Sequence, residues 1–123
     1  MKAAGFRAAV ESKDLDAALG QLSPSVILHS PVTFKPFEGL EAVRALFTIL
    51  FEVFEDFRYV AEFESEDGEV LHFRTRVGDR EVEGIDMVRF DSEGLIEDFT
   101  VMVRPLSAAI ALRDAVGSRL GMV

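Results

Sequence analysis

Asp86 is the residue in this chain best placed to do chemistry. It sits in the run Glu83-Gly84-Ile85-Asp86-Met87-Val88-Arg89-Phe90, which alternates as a β-strand does. Successive side chains on a strand point to opposite faces, so Gly84, Asp86, Val88 and Phe90 share one face, and Ile85, Met87 and Arg89 the other. One carboxylate therefore falls among apolar side chains, with a glycine beside it. An ionised carboxylate without a partner is costly there, and burial pushes its pKa up. Two readings follow. Asp86 is kept protonated, as a donor to a ligand carbonyl or as a general acid. Alternatively it makes a structural hydrogen bond to Ser30, His29, Tyr59 or a buried water.

His29 and Tyr59 are the other candidates for catalytic roles. His29 offers a base with Asp86 as its partner, or a satisfied, half-buried imidazole. It shares strand parity with Ile27 and Pro31, whereas Ser30 shares parity with Leu28 and Val32, so a regular strand turns only one of the two inward. Tyr59 is the sole tyrosine. Its hydroxyl is either a donor aimed into the interior or the wet tip of a core aromatic. No metal-ligand set, phosphate-cradling glycine loop or nucleophile triad stands out, and no cofactor is implied. Arg104 either attracts an anionic ligand or pairs with a nearby carboxylate. Arg74 and Arg76 are expected to pair across strands with Glu81 or Glu83.

These residues need elements to hold them. Ala3 to Leu22 reads as two short helices or one bent helix, capped by Ser12 or Asp14 and ended by Gly20 or Ser23-Pro24. Val26 to Phe34 is strand-like, with Pro31 restricting it to an edge or a bend. Phe37 to Leu40 is a turn. Leu40 to Phe54 predicts a long helix with an apolar stripe of Val43, Leu46, Phe47, Leu50, Phe51 and Phe54. From Phe57 the period becomes two. Phe57, Tyr59, Ala61 and Phe63 share a face, as do Leu71, Phe73, Thr75 and Val77. Leu95, Phe99, Val101 and Val103 alternate with Ile96, Asp98, Thr100 and Met102. Turns at Glu66-Asp67-Gly68, Gly78-Asp79 and Asp91-Ser92-Glu93-Gly94 make this a four-stranded antiparallel meander. Leu106 to Leu120 is a last helix with Ile110, Leu112, Val116 and Leu120 as its apolar positions.

Helices first and a sheet after is an α+β plan for one domain over residues 1–123. The sheet must curl around the phenylalanine-rich helix to bury its stripe. That gives a cone-shaped, curved antiparallel sheet wrapped around the N-terminal helices, a cystatin-like roll. The open end of such a cone suits a small hydrophobic molecule. Its expected lining is Phe6, Ser30, Phe51, Phe54, Phe73, Val88, Phe99, Val101 and Val103, around Asp86. On the other face, exposed Ile85, Met87, Ile96 and Met102 with His72 and Arg74 suggest a partner surface.

The totals exclude several alternatives. At 49% hydrophobic residues over 123 positions, the chain can bury a sizeable core. With no cysteine and two histidines, disulfides are excluded and structural zinc is not expected. A formal charge of −9 argues against binding nucleic acid. No run reaches the roughly 20 apolar residues of a membrane span, and no signal-like stretch opens the chain, so a cytoplasmic protein without membrane contact is expected.

The order of elements resembles the nuclear-transport-factor-two-like superfamily, which includes ketosteroid isomerases and SnoaL-like polyketide cyclases. The resemblance is carried by Lys13-Asp14-Leu15-Asp16, His29-Ser30-Pro31-Val32, Phe37-Glu38-Gly39, and Ile85-Asp86 through Arg89-Phe90 to Gly94. It spans nearly the whole chain and specifies the fold rather than an activity. The isomerase comparison implies a tyrosine and a protonated aspartic acid as oxyanion donors, with a second aspartate as base. Asp86 matches the protonated acid. Phe6 falls at the tyrosine's place and Ser30 at the base's. Ordinary ketosteroid isomerisation is therefore disfavoured. Related epoxide hydrolases place a carboxylate where Val101 stands, which disfavours that reaction too. The resemblance also implies a homodimer through the convex sheet face. What remains is an isomerase, cyclase or lyase using Asp86, or a non-catalytic binding module or dimeric interaction domain.

Overall fold

A computed structural model describes residues 1–120, and these form four helices and six strands. The first helix, α1 (Ala4–Glu11), buries Phe6 and Ala9. The second, α2 (Leu15–Leu19), is capped by Asp14, whose carboxylate accepts from the Ala17 N–H at 3.1 Å. The long helix α3 (Leu40–Val53) starts after Gly39, whose φ of 91° turns the chain into it. Its stripe buries Val43, Leu46, Phe47 and Val53. The last helix, α4 (Leu106–Leu120), buries Ala108, Leu112 and Val116. Ile110, expected on its apolar side, is exposed.

The strands are β1 (Leu22–His29), β2 (Phe37–Glu38), β3 (Glu55–Glu64), β4 (Gly68–Val77), β5 (Arg80–Phe90) and β6 (Ile96–Arg104). They form one curved, unclosed sheet in the order β2-β1-β6-β5-β4-β3. The meander β3 to β6 is antiparallel throughout. The sequence did not disclose that β1 joins β6 in parallel, pairing Leu28 with Phe99 and His29 with Thr100. Nor does β1 run from Val26 to Phe34. It starts at Leu22 and stops at His29, before Pro31, which lacks an N–H to donate; Pro24 lies within it, where the pairing with β6 shifts register between Leu22 and Ile27.

Register shifts correct the face assignments. One falls between Tyr59 and Ala61: Tyr59 pairs with Phe73, but Ala61 pairs with His72. An extra residue moves every later side chain to the opposite face. Glu62 therefore faces Leu71 on the inner side, while Phe63 is turned outward and is 61% exposed. A second shift lies between Arg89 and Phe90, and Ile96, expected on the convex face, is buried opposite Leu22 and Phe90. The convex face does carry Met102, which is 51% exposed, and half-buried Ile85 and Met87. Beside them Glu83 accepts from Arg104 at 2.7 Å and Arg74 at 3.0 Å, and lies 2.7 Å from His72 Nε2. Arg104 and then His72 hold its carboxyl below the usual range. Arg76 pairs with Asp56 at 2.6 Å and Glu55 at 3.6 Å, from β3 rather than β5.

The sheet closes on the helices through aromatic contacts. Phe6 of α1 and Phe47 of α3 meet Phe99 of β6 edge-on, at centroid distances of 5.4 and 5.8 Å. At the other side of the hollow, Phe57 stacks on Phe73 at 4.9 Å and meets Tyr59 edge-on at 5.0 Å. No described helix is long and apolar enough to cross a membrane.

Candidate functional site

Between the sheet's concave face and the helices lies a cavity of about 440 Å³. Eight phenylalanines line it, more than any other residue type, and Asp86 stands in the same wall. Gly84 explains how an acid fits beside so many rings. A Cβ at Gly84 would lie 2.5 Å from Phe73 Cζ and 2.4 Å from the Met102 carbonyl oxygen. Only glycine lets Phe73 cross the strand there, next to Asp86 on the same face.

Asp86 is 6% exposed and Tyr59 5%. The Tyr59 hydroxyl donates to Asp86 Oδ2 at 2.6 Å. Burial pushes the Asp86 carboxyl up from 3.8 to about 7, and the bond from Tyr59 pulls it partly back. Burial, then the Asp86 charge, push the Tyr59 phenol well above its usual 10. Tyr59 therefore remains a donor at any working pH, which assigns the acceptor role to Oδ2. A proton held by Asp86 then sits on Oδ1, the oxygen Tyr59 leaves free, as a donor in a low-dielectric space.

Tyr59 is itself held at the β3 bulge, where backbone groups lose their ladder partners. Two residues of α1 replace them. Arg7 Nη2 donates to the Tyr59 carbonyl at 3.2 Å, and the Tyr59 N–H donates to Glu11 Oε2 at 3.4 Å. Arg7 also binds Glu11 through Nε at 3.2 Å and Glu62 through Nη1. The helix that supplies Phe6 to the cavity thus fixes the backbone that aims the tyrosine. The Arg7-Glu11 spacing of four residues is the sequence signal for this clamp; nothing in the sequence marks the bulge it serves.

Most of the expected residues lie together. Phe6, Ser30, Phe51, Phe54, Phe73, Phe99 and Val101 line the cavity with Asp86 and Tyr59. His29 does not. Strand parity turns it to the other face, where its Nε2 lies 3.0 Å from Asp98 Oδ1, so it is no base for this site. Ser30 is the inward residue of the two, and its Oγ accepts from the Val32 N–H at 3.1 Å. Val88 is fully buried and outside the cavity. It pairs with Glu69, whose carboxylate accepts from the Lys2 and Ala3 N–H groups at 2.8 and 3.3 Å, so the start of α1 covers that end of the sheet. Val103, near the end of β6, packs against the core and does not reach the cavity. Sequence reasoning missed Phe57, Leu112 and the rim residues Glu11, Lys13, Arg113 and Asp114.

Residues 3–99 match the family model described as a SnoaL-like domain. The chain belongs to that family. Solved structures agree with the assignment. This SnoaL-like chain is 39% identical to a steroid delta-isomerase from Pseudomonas aeruginosa, with a TM-score of 0.91 over 98% of this chain and 89% of that one. It is 29% identical to an uncharacterised bacterial protein with a cystatin-like fold from Silicibacter pomeroyi, with a TM-score of 0.92 over 98% of this chain and 85% of that one. At 12% identity, a protein described as a SnoaL-like polyketide cyclase from Shewanella denitrificans shares the fold, with a TM-score of 0.70 over 92% of this chain and 95% of that one. No curated protein matches the chain.

Proposed function

We propose that this SnoaL-like chain takes up a small apolar molecule and holds its carbonyl oxygen with the neutral carboxyl of Asp86. Tyr59 supports that carboxyl from behind. The observation that carries the reading is the 2.6 Å bond from Tyr59 to an acid standing in an apolar cavity. A neutral donor aimed at a carbonyl stabilises the charge that builds on oxygen when a neighbouring bond is made or broken. Isomerases, cyclases and lyases acting through an enol or enolate all share that need. The name of the 39% identical steroid delta-isomerase supports an activity in this range.

Ordinary steroid isomerisation fits less well. Moving a proton between carbons needs a base, and a serine hydroxyl at position 30 does not serve as one. Glu11, the other carboxylate reaching the cavity near Tyr59, is engaged by Arg7 and the Tyr59 N–H. The same observation favours a second reading, a binding module that holds its ligand unchanged. We also propose that a second copy covers the convex face around Met102, Ile85 and Met87, since an apolar strip rimmed by charges suits a self-complementary contact.

The test is calorimetric binding of a ketone probe, 4-acetylbiphenyl, against the hydrocarbon 4-ethylbiphenyl. Ketone affinity should fall several-fold as pH rises through about 7, because Asp86 then loses the proton it donates. Hydrocarbon affinity should not change. Identical pH profiles for the two probes would remove Asp86 as the carbonyl donor. Native mass spectrometry separates the two readings: a co-purified molecule recovered unchanged after incubation favours the binding module.

A further inference from the structure

We propose that Lys13 is an anion anchor at the cavity mouth, so that the molecule bound there carries a carboxylate at the end remote from its carbonyl. The inference rests on the reading of the cavity given above and names the class of ligand it takes. Lys13 stands where α1 ends. Its N–H donates to the Val10 carbonyl at 3.0 Å, and the Asp14 N–H donates to the Ala9 carbonyl at 2.8 Å. That pair of bonds is the Schellman helix ending, which requires a left-handed residue in the position Lys13 occupies and usually takes glycine there. Lys13 adopts it, with φ of 59°. A side chain in this region is strained, and such strain is enriched at ligand sites. Attraction of a cation to the helix C-terminus does not explain the choice, because a lysine within the last turn gains it without strain.

What distinguishes the position is that it lies on the cavity rim. The carboxylates nearby are already engaged. Glu11 is held by Arg7 Nε at 3.2 Å, and Asp114 by Arg113 Nε at 3.1 Å. Asp14 accepts from the Ala17 N–H at 3.1 Å, and Asp16 lies 3.6 Å from Arg44. Among the described residues, no carboxylate forms an ion pair with Lys13. The mouth of a chain with formal charge −9 therefore carries an ammonium that forms no ion pair among the described residues, on a rim shared with Glu11, Arg113 and Asp114. Inside are aromatic walls with the Asp86 carboxyl among them. The complementary ligand has an apolar body, a carbonyl at its inner end and a carboxylate at its outer end.

The probes are ω-(4-acetylphenyl)alkanoic acids of graded chain length, each compared by calorimetry with its own primary amide. In the native chain the best-fitting acid should bind about two- to fivefold tighter than its amide, the range for an exposed ion pair, and added salt should erase the difference. Lys13→Gly should abolish the preference, each acid then binding no tighter than its amide. The same variant should unfold at a higher temperature, because glycine adopts the native backbone without strain. A preference that survives in Lys13→Gly, acids and amides binding equally to the native chain, or a lower unfolding temperature would each overturn the anchor and leave the cavity reading standing. Failure of every acid and amide to bind would overturn both.

Discussion

Replacing Asp86 with asparagine should change how stability depends on pH by a large and calculable amount. Unfolded, the carboxyl ionises at its ordinary 3.8; folded, it waits until about 7. Between those values the unfolded chain binds fewer protons than the native one, so native stability falls as pH rises, then levels off above about 7. Below 3.8 both forms are protonated and the group contributes no slope. At about 1.4 kcal/mol per pH unit, the gap from 3.8 to about 7 amounts to about 4 kcal/mol. That is a large share of the roughly 5–15 kcal/mol by which domains are stable. Asparagine keeps a carbonyl to accept from Tyr59 and does not titrate. The assay is urea unfolding of both proteins at intervals from pH 3.5 to 8.5. Exposed carboxylates common to both cancel in the difference. The difference should move in favour of Asp86→Asn by about 4 kcal/mol across that window, with its slope confined between the two pKa values. Parallel curves would refute the claim that burial holds this carboxyl neutral.

Other outcomes follow from the same geometry. Arg7→Ala should destabilise the chain by about 1–3 kcal/mol and broaden the Tyr59 ring signals in NMR spectra, since it leaves the bulge carbonyl without its donor and Glu11 and Glu62 without their cation; unchanged Tyr59 signals would show that the clamp does not position it. Gly84→Ala should cost about 1–3 kcal/mol by overpacking against Phe73 and the Met102 carbonyl, read as a lower denaturant midpoint. Met102→Asp should shift a dimer to a monomer in analytical ultracentrifugation, and a native chain that sediments as a monomer would remove the second copy from the convex face.

The fold was legible where period and punctuation agreed. The alternation from Phe57 onward, with glycine-bearing turns, predicted the meander, and the apolar stripe from Val43 to Phe54 predicted the long helix. Asp86 was legible for the same reason: a charge on the apolar parity of a strand stands out. The parallel pairing of β1 with β6 was hidden, because partners remote in sequence leave no local pattern. The bulge after Tyr59 was hidden too, since Phe57, Tyr59, Ala61 and Phe63 alternate without a break while the backbone inserts one residue. It carried Phe63 out of the core. His29 and Ser30 were separable by parity but not orientable until β1 was placed beside β6. The left-handed backbone of Lys13 was hidden, because it contradicts the local preference of lysine.

The most direct test of the central claim is an NMR titration of the Asp86 side-chain carboxyl in selectively 13C-labelled protein. A midpoint near 7 is predicted, accompanied by a chemical-shift response at the Tyr59 ring. A midpoint near 3.8 would contradict it, since the acid would then be ionised throughout the working range and would have no proton to offer a carbonyl.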